Sequence, residues 1–184
     1  GAVYEYDPFH QMRLFQSGTE EWLYFYTADD QRIWSYQLGG SDRNRWTLRG
    51  LDGLVLREYE SDHTGWRVAG DYIYRHRQLL AKETPGGSVT HFHLDYLGTP
   101  RLLTDAGGQT RAYHAYYPFG EEATAAAASA ERLKFTGHER DLGSAVSAGD
   151  DLDYMLARHH SPVTGRFMSV DRHRGEVRHP QSWN

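Results

Sequence analysis

The 184-residue chain contains no cysteine. That excludes a thiolate nucleophile, cysteine-ligated zinc, iron–sulfur clusters and any disulfide framework. It does not fix the compartment, because a chain of this size can build a core without cross-links. No run approaches 18 consecutive apolar residues, so the sequence offers no membrane-spanning helix. Its opening, from Ala2 to Asp7, lacks a charged stretch followed by an apolar one, so it does not read as a secretory leader. Excess basic charge is absent too. The net charge is −5, which gives general nucleic-acid or anionic-membrane binding no electrostatic support. There is no phosphate-cradling glycine loop, because Gly39-Gly40, Gly86-Gly87 and Gly107-Gly108 all sit between strand patterns. Gly143-Ser144-Ala145 lacks the second glycine of a nucleophile elbow. Arg172-His173-Arg174 is too short for a nucleic-acid patch and reads as a solvated tail.

What the chain has instead is 13 tyrosines, 5 tryptophans and 19 glycines. Apolar doublets one residue apart recur as Tyr4/Tyr6, Tyr24/Tyr26, Trp46/Leu48, Tyr72/Tyr74 and Phe92/Leu94, at separations of 20, 22, 26 and 20 positions. Most lead into a polar turn and a second apolar stretch, as in Asp7-Pro8-Phe9-His10 before Met12, or Asp105-Ala106-Gly107-Gly108 before Arg111. Alternation at period two places each doublet on one face of a strand, with Glu5, Thr47 or His93 on the other. Asp-Gly and Gly-Gly tolerate positive φ and punctuate hairpins. The fold expected is mainly β: a curved antiparallel sheet of consecutive hairpins with little helix.

After residue 118 the texture changes. The alanine-rich stretch 121–132 suits either a short helix or a simple loop. Leu133–Gly137 reads as a strand, 142–150 as an exposed loop, Asp153–His160 as one strand, and Val163–Asp171 as a turn and strand.

Five blocks carry a resemblance. His93-Leu94-Asp95-Tyr96-Leu97-Gly98-Thr99-Pro100-Arg101-Leu102-Leu103-Thr104-Asp105 resembles the opening of the RHS-repeat-associated core domain. Tyr116-Tyr117-Pro118-Phe119-Gly120-Glu121, Phe135-Thr136-Gly137-His138-Glu139-Arg140-Asp141, Asp153-Tyr154 through Ser161-Pro162, and Gly165-Arg166-Phe167-Met168-Ser169-Val170-Asp171 resemble its later blocks, in the same order. The hairpins before residue 91 resemble YD repeats more loosely, with a literal Tyr-Asp pair at Tyr6-Asp7. The resemblance divides the chain into YD-type repeats over 1–90 and a core region over 91–184, expected to share one continuous sheet. It departs from the family at His159-His160, where tyrosines are usual, and at Asp171-Arg172-His173-Arg174-Gly175, where the aspartate-proline motif has lost its proline. The second aspartate motif has no counterpart before Asn184, which reads as a truncated copy.

The resemblance implies a structural shell or encapsulation module of a toxin-type protein. Its partners would be a C-terminal cargo segment or the remaining shell, with edge-to-edge self-association possible and no nucleic acid or cofactor. The full-length, bacterial-type protein would be secreted or cell-surface. Paired aspartates cut the chain in some members, because proximity keeps one carboxyl protonated beside a charged one. Here only Asp171 matches the first of them, so no independent catalysis is expected unless Asp150, Asp151 or Asp153 stands in as partner. Two alternatives remain: a glycan- or protein-binding surface using Trp34 and Trp46, and a residual aspartyl autoprotease. His91 and His93 share a strand face and are weak metal candidates, since nothing at metal spacing supplies further ligands. Asp95 reads as a turn or hydrogen-bonding residue.

Overall fold

A computed structural model describes residues 2–38, 44–62, 64–124, 129–141 and 151–171. Eleven strands form one antiparallel sheet in strict chain order: β1 (Val3–Tyr6), β2 (Met12–Ser17), β3 (Glu20–Tyr26), β4 (Arg32–Leu38), β5 (Asn44–Arg49), β6 (Val55–Asp62), β7 (Gly65–Arg75), β8 (Gln78–Thr84), β9 (Ser88–Leu94), β10 (Pro100–Asp105) and β11 (Thr110–Tyr113). Each strand pairs with its sequence neighbours, and β1 and β11 are the outer strands of an open sheet. A second, four-stranded sheet packs on one face of this wall: β12 (Glu139–Asp141), β13 (Leu152–Met155), β14 (Arg158–Ser161) and β15 (Arg166–Phe167). The mainly-β, consecutive-hairpin expectation is met. β9 spans residue 90, so the wall crosses that point without a break.

One turn recurs along the chain, at Asp7–Gln11, Thr27–Gln31, Gly50–Leu54, Asp95–Thr99, Asp105–Gln109, Tyr117–Glu121 and Lys134–His138. In each, the first N–H donates to the fifth carbonyl and the fourth N–H donates to the first carbonyl. The fourth residue has positive φ in every copy, including the non-glycines His10 (61°) and Asp30 (64°). This is a three-residue hairpin loop closed by a left-handed residue. The carboxylates of Asp7, Asp95 and Asp105 each accept from the third and fifth N–H groups of their own turn, at 2.9–3.0 Å. The aspartate of the Tyr-Asp pair is therefore a turn cap, and Asp95 has the turn role read from its position.

The inner face, against the small sheet, carries Tyr24, Tyr72 and Phe92 buried, with Tyr4, Tyr6, Tyr26, Tyr74 and Leu94 packed beside them. The third doublet differs. Trp46 and Leu48 are 39% and 55% exposed on the outer face, while Thr47 is buried. The inner positions of β5 are occupied by Arg45, Thr47 and Arg49, which face charged partners, and period two then forces the apolar pair outward.

Two local readings are corrected, and a third, left open between helix and loop, is narrowed. Leu133–Gly137 is not a strand: Leu133 makes a single bridge to Glu139, and the chain then enters the tight Lys134–His138 turn. Asp153–His160 is not one strand but the hairpin β13–β14, reversed at Leu156, whose φ is 58°. Of the stretch 121–132, the described residues 121–124 and 129–132 contain no helix. The loop 142–150, Gly39-Gly40, Ala125–Ala128 and everything after Asp171 lie outside the described residues.

Gly98 and Gly120 occupy the same turn position (φ 81° and 92°) in different surroundings. A Cβ on Gly98 meets nothing within 4 Å, whereas one on Gly120 falls 2.6 Å from the Phe135 ring. Gly98→Ala is expected to cost only backbone strain, about 1 kcal/mol. Gly120→Ala adds overpacking against the ring and should cost about 2–4 kcal/mol. Urea denaturation of the two variants, compared at equal m-value, checks the ranking.

Candidate functional site

Between the two sheets lies a buried cluster of four cations and four carboxylates. The wall contributes Arg32 (β4), Arg49 (β5), Glu58 (β6) and Lys82 (β8); the segment leading into the small sheet contributes Glu131 and Arg132, and β12 contributes Glu139 and Asp141. Arg32 grips Asp141 with both terminal nitrogens, one at 3.0 Å, and reaches Glu139 at 3.3 Å. Arg49 pairs with Glu139 and donates to the Arg32 carbonyl at 2.9 Å. Arg132 spans the cluster, with Glu58 at 2.7 Å and Asp141 at 3.0 Å. The Tyr72 hydroxyl sits 2.9 Å from Glu58 and 3.0 Å from Glu131 and accepts from Lys82 Nζ at 2.9 Å. The Arg32 guanidinium also lies over the Tyr154 ring, 4.2 Å from its centroid.

Burial alone pushes Glu58, Glu139 and Asp141 up, but the surrounding cations win. Arg132, Arg45 and Lys82 hold Glu58 at about 2. Burial of Asp141 is likewise overcome by Arg32, His159 and Arg132, so it lies well below the usual carboxylate range. Glu139 is lowered by Arg49, Arg32 and Arg132 against the same penalty. Glu58, Glu139 and Asp141 are therefore ionised at neutral pH. What the arrangement does is fasten one sheet to the other.

The five sequence blocks converge beside it. Thr136 N–H donates to Thr99 Oγ1 at 3.0 Å, joining the first block to the third. Arg140 donates to the Gly120 carbonyl at 2.7 Å and grips Asp153 at 2.8 and 3.0 Å, joining the third block to the second and fourth. Met168 N–H donates to the His159 carbonyl at 2.8 Å, and Tyr6 donates to the Met168 carbonyl at 2.9 Å, so the fifth block is tied to the fourth and to β1.

The residues singled out from sequence fall in separate places. Asp171 is partly exposed, its carboxylate 3.1 Å from Arg158 Nη2. Asp153 is fully buried and engaged by Arg140; burial raises its pKa and Arg140 opposes the rise. Asp151 is buried, and Asp150 lies outside the described residues. His91 and His93 are exposed on the outer face of β9, with His93 Nε2 3.1 Å from Thr104 Oγ1. Among the described residues, no group of three or more His, Cys, Asp or Glu is placed to hold a metal. His159 and His160 are both buried, because β14 is covered on both sides: His159 by Tyr24 and Tyr154, His160 by Phe167. On the outer face Phe25, Trp34 and Trp46 stack across neighbouring strands, with centroids 4.6 and 5.4 Å apart and interplanar angles of 24° and 15°. The facing surfaces of these rings are taken up by one another.

Sequence reading missed Arg32, Arg49, Glu58 and Arg132. Their one advance signal was charge at inward positions of otherwise apolar strands, visible only once the facing strand is known.

Removing Arg32 leaves Asp141 and Glu139 buried with one fewer partner. Arg32→Met should therefore destabilise the chain by about 3–5 kcal/mol, while Arg57→Ala, at a solvent-exposed pair with Asp71, should leave the urea midpoint almost unchanged. The pH dependence follows from the lowered carboxyls. Their contribution is fully present above the unfolded carboxyl pKa, about 4.5, and for Glu58 is lost as pH falls through about 2. Stability measured from pH 5 to pH 2 should fall throughout, and Glu58→Gln should flatten that slope.

No family model matches the chain. It is similar to the tRNA3(Ser)-specific nuclease WapA of Bacillus spizizenii, 28% identical over 121 residues, covering 64% of this chain and 5% of that protein. Among solved structures it resembles TcdB2-TccC3, with TM-score 0.68 and 17% identity over 94% of this chain and 9% of the other. It also resembles a chain of the Tc holotoxin pore of Photorhabdus luminescens, with TM-score 0.66 and 18% identity at the same coverage. The chain thus spans less than a tenth of the length of each. Blocks and fold agree: this chain folds as the RHS/YD-repeat shell proteins do.

Proposed function

We propose that the chain is a section of enclosing wall, with YD-type repeats up to about residue 90 and an RHS core region beyond, and that it has no catalysis of its own. The observation that carries this reading is the open eleven-stranded sheet in strict chain order, similar over 94% of the chain to TcdB2-TccC3. Among the described residues β1 and β11 each pair with a single strand, and on this reading the partners would be neighbouring shell strands and a C-terminal cargo. The small sheet, fastened from inside by the ion cluster, would close part of the wall's inner face. A secreted or cell-surface setting for the whole protein belongs to the same proposal; among the described residues no helix is long and apolar enough to cross a membrane.

Asp171 lies against Arg158 and Asp153 against Arg140, so each faces a guanidinium rather than a second carboxylate, which supports the non-catalytic reading because the paired chemistry needs two carboxylates side by side. The purified chain incubated from pH 4 to pH 8 should keep its intact mass; a discrete cut near Asp171 would overturn this part. The stacking of Trp34 on both Phe25 and Trp46 supports packing over sugar recognition at Trp34, since recognition needs a free ring face. A glycan array should show no saturable binding. Binding abolished by Trp46→Ala would instead favour a recognition surface. For the wall reading itself, limited proteolysis of the full-length protein should spare the segment following this chain until the shell is denatured.

A further inference from the structure

Beside the ion cluster stands a buried histidine. His159, on β14, points across the joint at the wall. Its ring is nearly sealed from solvent, with Tyr24 of β3 5.5 Å away and Tyr154 of β13 5.3 Å away. Its Nε2 stands 3.5 Å from Arg32 Nη1 of β4 and 3.6 Å from Asp141 Oδ2 of β12. These groups, with Glu139 and Arg132 behind them, are the titratable and charged surroundings that its proton would meet. We propose that His159 makes the joint between the small sheet and the wall acid-labile, loosening β13–β14 from β3–β4 when its ring takes up a proton.

A proton on the ring places a second cation beside the Arg32 guanidinium, where water cannot screen it. Asp141 is the carboxylate the ring meets directly, with Glu139 acting from further off, and it is already shared by Arg32 and Arg132 at 3.0 Å each. Tyr24 and Tyr154 cannot compensate, because burial raises both phenols and keeps them protonated. The sign follows. Burial lowers the His159 pKa from its ordinary 6.5, with Asp141 opposing and Arg32 reinforcing the shift. The docked sheet therefore prefers the neutral ring, and the undocked sheet takes the proton first. Docking is fully stable above about pH 6.5 and weakens as pH falls below it. The carboxylates act in a different window, beginning below about 4.5, so the two effects separate on the pH axis.

Other buried histidines do not bridge the joint. His160 faces Phe167 and pairs with Asp153 across β13–β14, within the small sheet. His114 is held by Glu122 at 2.6 Å. The inference concerns only how this chain's two sheets hold together, and it stands whether or not they enclose a cargo.

Hydrogen exchange read by mass spectrometry on the whole 184-residue chain between pH 7 and pH 4.5 tests it. After correction for intrinsic exchange, protection of the peptides spanning β13–β14 should fall by up to about tenfold per pH unit below about 6.5. Protection in β9–β10, which does not touch His159, should stay level. His159→Phe keeps the ring and removes the proton site; His159→Gln keeps a polar group and decides the matter if the first variant fails to fold. A level β13–β14 profile in either folded variant supports the proposal. The same descent in a folded variant as in the parent chain, or no descent in the parent, overturns it.

Discussion

The structure depends on Arg32. Its guanidinium stands where charges of the wall, the small sheet and the segment leading into it come together. It touches Asp141 and Glu139, lies over Tyr154, and has Arg49 hydrogen-bonded to its carbonyl. Taking such charges out of water costs several kcal/mol each, and mutual attraction offsets that cost only when every partner is present. An apolar joint would tolerate many relative positions of the two sheets. A network of bidentate and shared contacts satisfies all its members in only one. The apolar clusters on either side, around Met12 and Phe15 and around Tyr72 and Phe92, supply the non-directional part of the docking.

Much of the wall was legible in the sequence, because hairpins are local objects. Tyr4/Tyr6 and Tyr72/Tyr74 alternate with polar residues, and the turns that follow the strands carry aspartate or glycine where a short side-chain acceptor or positive φ is needed. Trp46/Leu48 has the same alternation and points the other way. Period two identifies two faces without saying which is buried, and that choice was made by Arg45 meeting Glu58 on the neighbouring strand and Arg49 meeting Glu139 from a distant part of the chain. Leu133–Gly137 misled for a related reason. Its apolar residues pack individually around a tight turn, and a short apolar run reads alike in a strand and in such a turn.

The candidate site was legible only as motif blocks. Their residues touch across wide sequence separations: Thr99 meets Thr136, Gly120 meets both Phe135 and Arg140, and Arg140 meets Asp153. Each block is a set of mutual fits, so the resemblance preceded any knowledge of what the residues do. The histidine at 159, a departure from the family pattern, also lies where the blocks meet the wall.

Strict chain order in the eleven-stranded sheet has a consequence for how such a wall grows. Each strand finds its partner within the next few residues, so pairing needs no long loop closure and can advance as the chain emerges. Every completed hairpin presents an edge on which the next one is templated. Length is therefore an extensive property: inserting or deleting a hairpin pair preserves the antiparallel sense of everything after it and alters only the span of the surface. Away from the small sheet, such a wall is a tape whose span is set by the number of hairpins in it.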